Sequence, residues 1–135
     1  RQYVREAKPL PLSLKGGGSG SAIGNWTPAE VSTEWKWMAW PVSPDDLKNL
    51  RGVRFTYTSG RHALEIEQVE LVGDGRMIDG RRHAGLAGKP SRENCYQLSL
   101  PEGVHANNGL LIRAKVRTVG GNDSRGKIEL LKKNG

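Results

Sequence analysis

Cysteine occurs once in this 135-residue chain, at Cys95, and phenylalanine once, at Phe55. One thiol excludes an intrachain disulfide and a thiolate zinc cage. No apolar run approaches the roughly 18 residues of a membrane-crossing helix, and no stretch repeats apolar residues at long amphipathic-helix spacing. Motifs for catalysis are equally scarce. There is no GxSxG elbow, His62, His83 and His105 form no HExxH or His-x-His pattern, and no cofactor fingerprint occurs. No cofactor and no metal are expected. Basic runs are short as well: Arg81-Arg82-His83 and Lys132-Lys133 are the densest points of a chain with formal net charge +7. Such dispersed charge permits an anionic partner without selecting one.

What the chain does contain is glycine, 18 of them, with 7 prolines and 36% apolar residues, a composition of many turns joining short elements. Its opening at Arg1, without methionine, leads us to expect a piece of a longer protein. Residues 1–24 read as an N-terminal extension running into the Gly/Ser-rich linker GGGSGSAIG, and residues 25–135 as one domain. A phosphate-cradling role for the glycines would need a preceding strand and a following helix with Lys-Ser/Thr, and neither is present.

Strand signals recur through the domain and are read by parity, because successive side chains on a strand point to opposite faces. Val53, Phe55 and Tyr57 share one face, and Arg54, Thr56 and Thr58 the other. In ALEIEQVELVGDG the apolar set moves from Leu64 and Ile66 to Val69 and Leu71, which requires a bulge or bend near Glu67-Gln68. Asp74-Gly75 predicts a tight hairpin turn. Tyr96, Leu98 and Leu100 form another inward set, as do Ile112, Ala114 and Val116 opposite outward Arg113, Lys115 and Arg117, and a last strand lies in GKIELLKK. Seven or eight such strands without a crossover helix predict an all-β fold, an antiparallel β-sandwich of jelly-roll type, with a closed barrel as the rival.

Three of the four tryptophans fall in EWKWMAW, residues 34–40. Trp35, Trp37 and Ala39 share one face, and Lys36, Met38 and Trp40 the other, so one set must face the core. Trp26 is expected to pin the chain's entry into the domain. Cys95, inside a strand pattern, suits a packing residue better than a nucleophile. Glu65, Glu67 and Glu70 read as a solvated acidic edge. Asn122, Asp123 and Ser124 form an oxygen-rich turn, for which capping explains the residues at least as well as calcium.

From about Trp26 to Leu131, the order of NWTPAEV, EWKW, FTYTSGRHALEIEQVELVGDGRMI, HAGLAG and VGGNDSRGKIEL resembles the C-terminal β-sandwich domains of bacterial family 20 glycoside hydrolases, the β-N-acetylhexosaminidases or chitobiases. His83, Gly85 and Gly88 meet the His-x-Gly-x-x-Gly pattern of similar domains, and Gly120, Gly121, Asp123, Ser124 and Gly126 their GG.DS.G turn. Where an Asp is expected two residues before the His, this chain has Arg81, and the nearest acid is Asp79. The resemblance implies a jelly-roll appendage without catalytic machinery, on an exported enzyme (periplasmic or cell-surface) that processes glycans.

The function expected on these grounds is carbohydrate binding by a noncatalytic accessory module, with a glycan containing N-acetylglucosamine as ligand and the parent catalytic domain as partner. Trp37, Trp40, His83, Asn122, Asp123 and Arg125 are its candidate contacts, with the loops at 83–88 and 120–126 meeting at one end of the sandwich. The alternative is a domain that packs against and braces its catalytic neighbour without binding sugar. A nucleic-acid role for the Arg113, Lys115, Arg117 stripe is not expected, because no aromatic residues interleave it, and no membrane partner is expected.

Overall fold

The computed structural model describes residues 20–89 and 91–133, with the side chains of His83 and Ala84 excepted. The N-terminal extension and the glycine-rich stretch as far as Ser19 lie outside the described residues. Among the described residues eight strands follow one another: β1 (Ser21–Trp26), β2 (Lys36–Pro41), β3 (Leu50–Gly60), β4 (Leu64–Gly73), β5 (Arg76–Ala87), β6 (Glu93–Gln97), β7 (Leu111–Thr118) and β8 (Ser124–Lys132). A short 3-10 turn at Asp45–Leu47 interrupts the connection from β2 to β3.

The strands form two four-stranded sheets, ordered β1-β8-β3-β6 (sheet I) and β2-β7-β4-β5 (sheet II), with every pairing antiparallel. Each connection crosses from one sheet to the other except the β4–β5 hairpin, which is the jelly-roll connectivity. Among the described residues both sheets keep open edges, β1 and β6 in sheet I and β2 and β5 in sheet II, so these strands do not close into a barrel. The hairpin turns through Asp74 and Gly75, at φ 52° and 75°, the paired positive values that a two-residue turn with the strands' own twist requires.

The inward sets of β3, β4, β6 and β7 are those expected from parity, and β8 adds Ile128 and Leu130. Val53, Phe55, Tyr57, Tyr96, Leu98, Ile128 and Leu130 of sheet I and the chain beside it face Leu64, Ile66, Val69, Leu71, Ile112, Ala114 and Val116 of sheet II, all buried. Phe55 is the hub, with ring centroids of Trp26, Trp40 and Tyr96 at 6.3, 6.1 and 5.9 Å, spacings that suit edge-to-face and tilted aromatic contact. On β4 the register with both neighbours shifts between Ile66 and Gln68. This is the predicted bulge, and it lets Ile66 and Val69 both point inward.

The entry to the domain differs from the compositional boundary. β1 starts at Ser21, inside the stretch read as linker, because its backbone pairs with β8 from Ser21↔Leu130 to Trp26↔Gly126. Strand pairing needs amide groups and no bulky side chains. At Gly24 a Cβ would lie 2.2 Å from the Trp40 ring, so glycine there makes room for the indole. Trp26 is buried, donates from Nε1 to Ser124 Oγ at 2.9 Å, and occupies space that a Cβ on Gly126 would enter at 2.1 Å. It fastens the first strand to the last.

Candidate functional site

The outward face of sheet II carries the exposed aromatics. On β2, Trp37 stands opposite Lys115 and Ala39 opposite Arg113, so these residues point away from the core while Trp40, of the other parity, points into it. Trp37 is 44% exposed and Trp40 only 6%. The Trp40 ring meets Phe55 edge-on at 71°, and its Nε1 donates to the Asn25 carbonyl at 3.4 Å. Trp40 is therefore a core residue with no ring face turned to a ligand, a correction to its place among the candidate contacts.

Around Trp37 the face is built in stripes. β7 contributes Arg113, Lys115 and Arg117, and β4 contributes Glu65, Glu67 and Glu70. The Arg113 guanidinium lies 4.7 Å from the Trp37 ring centroid, and that of Arg117 lies 4.5 Å from Trp35. On their other side the same cations meet acids: Arg113 Nε donates to Glu70 at 2.7 Å and Arg117 Nε to Glu65 at 2.8 Å, while Lys115 Nζ is 3.5 Å from Glu67. Each arginine is thus held between an indole and a carboxylate. A cation over an exposed ring contributes about 0.5–1 kcal/mol, and a half-exposed ion pair up to about 1 kcal/mol. Together they restrict rotation of the rings and of the guanidinium forks.

No protein-family model and no curated protein matches this chain.

The remaining sequence-derived candidates do not converge on Trp37. Asp123 sits in the β7–β8 turn and closes it against the β3–β4 turn: its carboxylate accepts from the Arg61 backbone N–H at 2.7 Å and from His62 Nδ1 at 2.8 Å. The Arg61 amide first, and then His62, holds the Asp123 carboxyl below the usual aspartate pKa. The His62 ring rests on Gly121, where a Cβ would come within 2.5 Å, and a Cβ on Gly60, at φ +112°, would strike the Asp123 carbonyl at 1.9 Å. The GGNDSRG turn is thereby explained as a clasp between two loops. Asn122 beside it is exposed. Arg125 is exposed on the outer face of sheet I, opposite Ser59 of β3. Asp79 is held locally, accepting from the Ser99 and Gly80 amides and from Arg81.

The expected loop at 83–88 is a second correction. Residues 83–87 belong to β5, which stays paired with β4 out to Leu64↔Ala87, and only Gly88 lies beyond the strand's end. Gly88 abuts Ala63, whose carbonyl accepts the Val119 amide at 3.0 Å. The 88 and 119–123 regions therefore do gather at one end, but His83 lies on the strand, and its side chain is outside the described residues. Sequence reasoning missed Trp35 as a site residue, although parity had already put it on the face of Trp37. Among the described residues, no group of three or more His, Cys, Asp or Glu side chains is placed to hold a metal ion, and no helix is long and apolar enough to cross a membrane.

Proposed function

We propose that this domain is a noncatalytic accessory module of an exported glycan-processing hydrolase of the hexosaminidase or chitobiase kind, and that it binds carbohydrate on the outer face of sheet II. The observation that carries the reading is Trp37: a large ring, nearly half open, fixed by Arg113 from one side and bordered by carboxylates and guanidinium groups. Apolar ring faces suit the C–H face of a pyranose, and donors and acceptors beside them suit its hydroxyl and acetamido groups. Trp35 extends the aromatic stripe along β2. Because Glu65, Glu67 and Glu70 pair with the β7 cations, the face is close to charge-balanced despite the chain's net charge of +7, which favours a neutral glycan over nucleic acid.

Calorimetric titration with N-acetylglucosamine oligomers tests this. Binding is expected for the domain, with Trp37→Ala weakening it at least about tenfold, equivalent to ~1.4 kcal/mol, and leaving the far-ultraviolet circular dichroism unchanged. Unaltered affinity in that variant overturns the assignment of the face.

One feature favours the bracing alternative. Leu86, paired with Glu65 on β5, and Val119, the next outward position after Arg117, are exposed on the same face as Trp37, and apolar residues gathered on one side mark docking surfaces. In that reading the isolated domain binds no glycan, and Trp37→Ala instead weakens its association with the parent catalytic domain.

A further inference from the structure

Each indole on the outer face of sheet II has one of its two ring faces already taken. The Arg113 guanidinium lies over the Trp37 ring and that of Arg117 over Trp35, and both cations come from β7, the inner neighbour of β2. Their height above the sheet is set from the far side. Glu70, which accepts from Arg113, has an almost wholly buried side chain, and the Glu65 side chain that holds Arg117 is mostly covered. These carboxylates draw the guanidinium groups down toward β7 and β4. The covered face of each indole is thus the one turned toward β7, and the free face looks outward past β2.

Past β2 the sheet ends. Among the described residues β7 is the only strand that β2 pairs with, and an edge strand turns unpaired amide and carbonyl groups outward along its length. The free ring faces therefore stand beside a row of donors and acceptors. Trp35, directly before β2, and Trp37 within it are two residues apart, the period at which side chains of an extended chain return to one side. At ~3.4 Å per residue their Cα atoms are about 7 Å apart, a spacing on the scale of one pyranose residue in a chain.

The direction of a ligand follows from what lies across the sheet. Glu65 pairs with Arg117 on one side and with Leu86 on the other, so the exposed Leu86 at the opposite edge is cut off from the indoles by the Arg117–Glu65 ion pair. A ligand laid across the strands would have to cover that pair and strip water from both charges, a cost that the pair's own attraction does not reliably offset. One running along β2 leaves the pair in water.

Resting on the carbohydrate reading above, we infer that the ligand is an oligosaccharide lying along the open edge of β2, with one sugar on the free face of Trp37 and the next on that of Trp35. Trp35 is then the residue that selects for chain length, because a single sugar occupies one indole and gains nothing from the other. Arg113 and Arg117 are positioning residues that hold the two rings in line before the ligand arrives, so that little side-chain freedom is lost on binding.

Calorimetric titration of the full chain with N-acetylglucosamine and with its dimer and tetramer tests the arrangement. The dimer is expected to bind at least about tenfold more tightly than the single sugar. Trp35→Ala should bring the dimer down to the affinity of the single sugar while leaving the far-ultraviolet circular dichroism unchanged, and Trp35→Tyr, which keeps a ring, should restore most of the loss. Leu86→Ser, at the other edge of the same face, should bind every length as wild type does. The inference is overturned if the oligomers bind and weaken with Trp37→Ala but Trp35→Ala matches wild type, if the single sugar binds as tightly as the dimer, or if Leu86→Ser weakens the dimer as much as Trp35→Ala. A chain that binds none of the three sugars overturns the carbohydrate reading itself, and this inference with it.

Discussion

Replacing Trp26 by alanine removes a buried indole that joins the first strand to the last and packs at a tilt against the central phenylalanine. A tryptophan buries about 150–250 Å², which at ~25 cal/mol per Å² corresponds to ~4–6 kcal/mol, and measured truncations of buried aromatic residues fall at about 3–5 kcal/mol. The Ser124 hydroxyl, itself buried, would also lose its partner at 2.9 Å, a further ~1 kcal/mol. A total loss of about 4–6 kcal/mol is a large part of the ~5–15 kcal/mol that holds a domain of this size. Urea unfolding followed by circular dichroism, extrapolated linearly, measures it, and the midpoint should fall with little change in slope. Trp37→Ala is the internal comparison, because that ring is 44% exposed and its removal costs mainly the contact with Arg113, about 1 kcal/mol or less. Should Trp26→Ala lose under 1 kcal/mol, or Trp37→Ala lose as much as Trp26→Ala, the division of the tryptophans into core and surface is refuted.

Gly60→Ala places a Cβ 1.9 Å from the Asp123 carbonyl at φ +112°, whereas Gly75→Ala at φ +75° meets no atom within 4 Å. The second should cost about 1 kcal/mol for the left-handed backbone alone and the first distinctly more, a ranking that thermal melts of the two variants check. Asp123 has a folded-state pKa below its unfolded value. Its contribution is therefore fully present above the unfolded pKa of about 3.9 and is lost as pH falls through the lower folded value. The stability gap between wild type and Asp123→Asn should accordingly hold steady from pH 7 to pH 5 and narrow below about pH 4. A gap that widens with acid would contradict the clasp. Glu70, whose side chain is almost wholly buried, accepts from the half-exposed Arg113 and from the buried Gln68 amide; Glu70→Ala takes that acceptor from Gln68, and a loss of about 1–3 kcal/mol is expected in urea titration.

Strand parity in the sequence determined most of this fold: the inward sets of β3, β4, β6 and β7, the bulge between Ile66 and Gln68, and the hairpin at Asp74-Gly75 all follow from local alternation and turn chemistry. Parity also split the tryptophans into two faces. It could not say which face was the core, because that depends on what stands across the sheet, and only the pairing of β2 with β7 and the position of Phe55 put Trp40 inside and Trp37 outside. The clasp of His62 on Asp123 and the stripes of indole, guanidinium and carboxylate on sheet II both join residues distant along the chain. A jelly roll sends nearly every connection to the opposite sheet, so its neighbours in space are seldom neighbours in sequence. Alternation is written residue by residue, whereas these surfaces exist only after the two sheets have closed on one another.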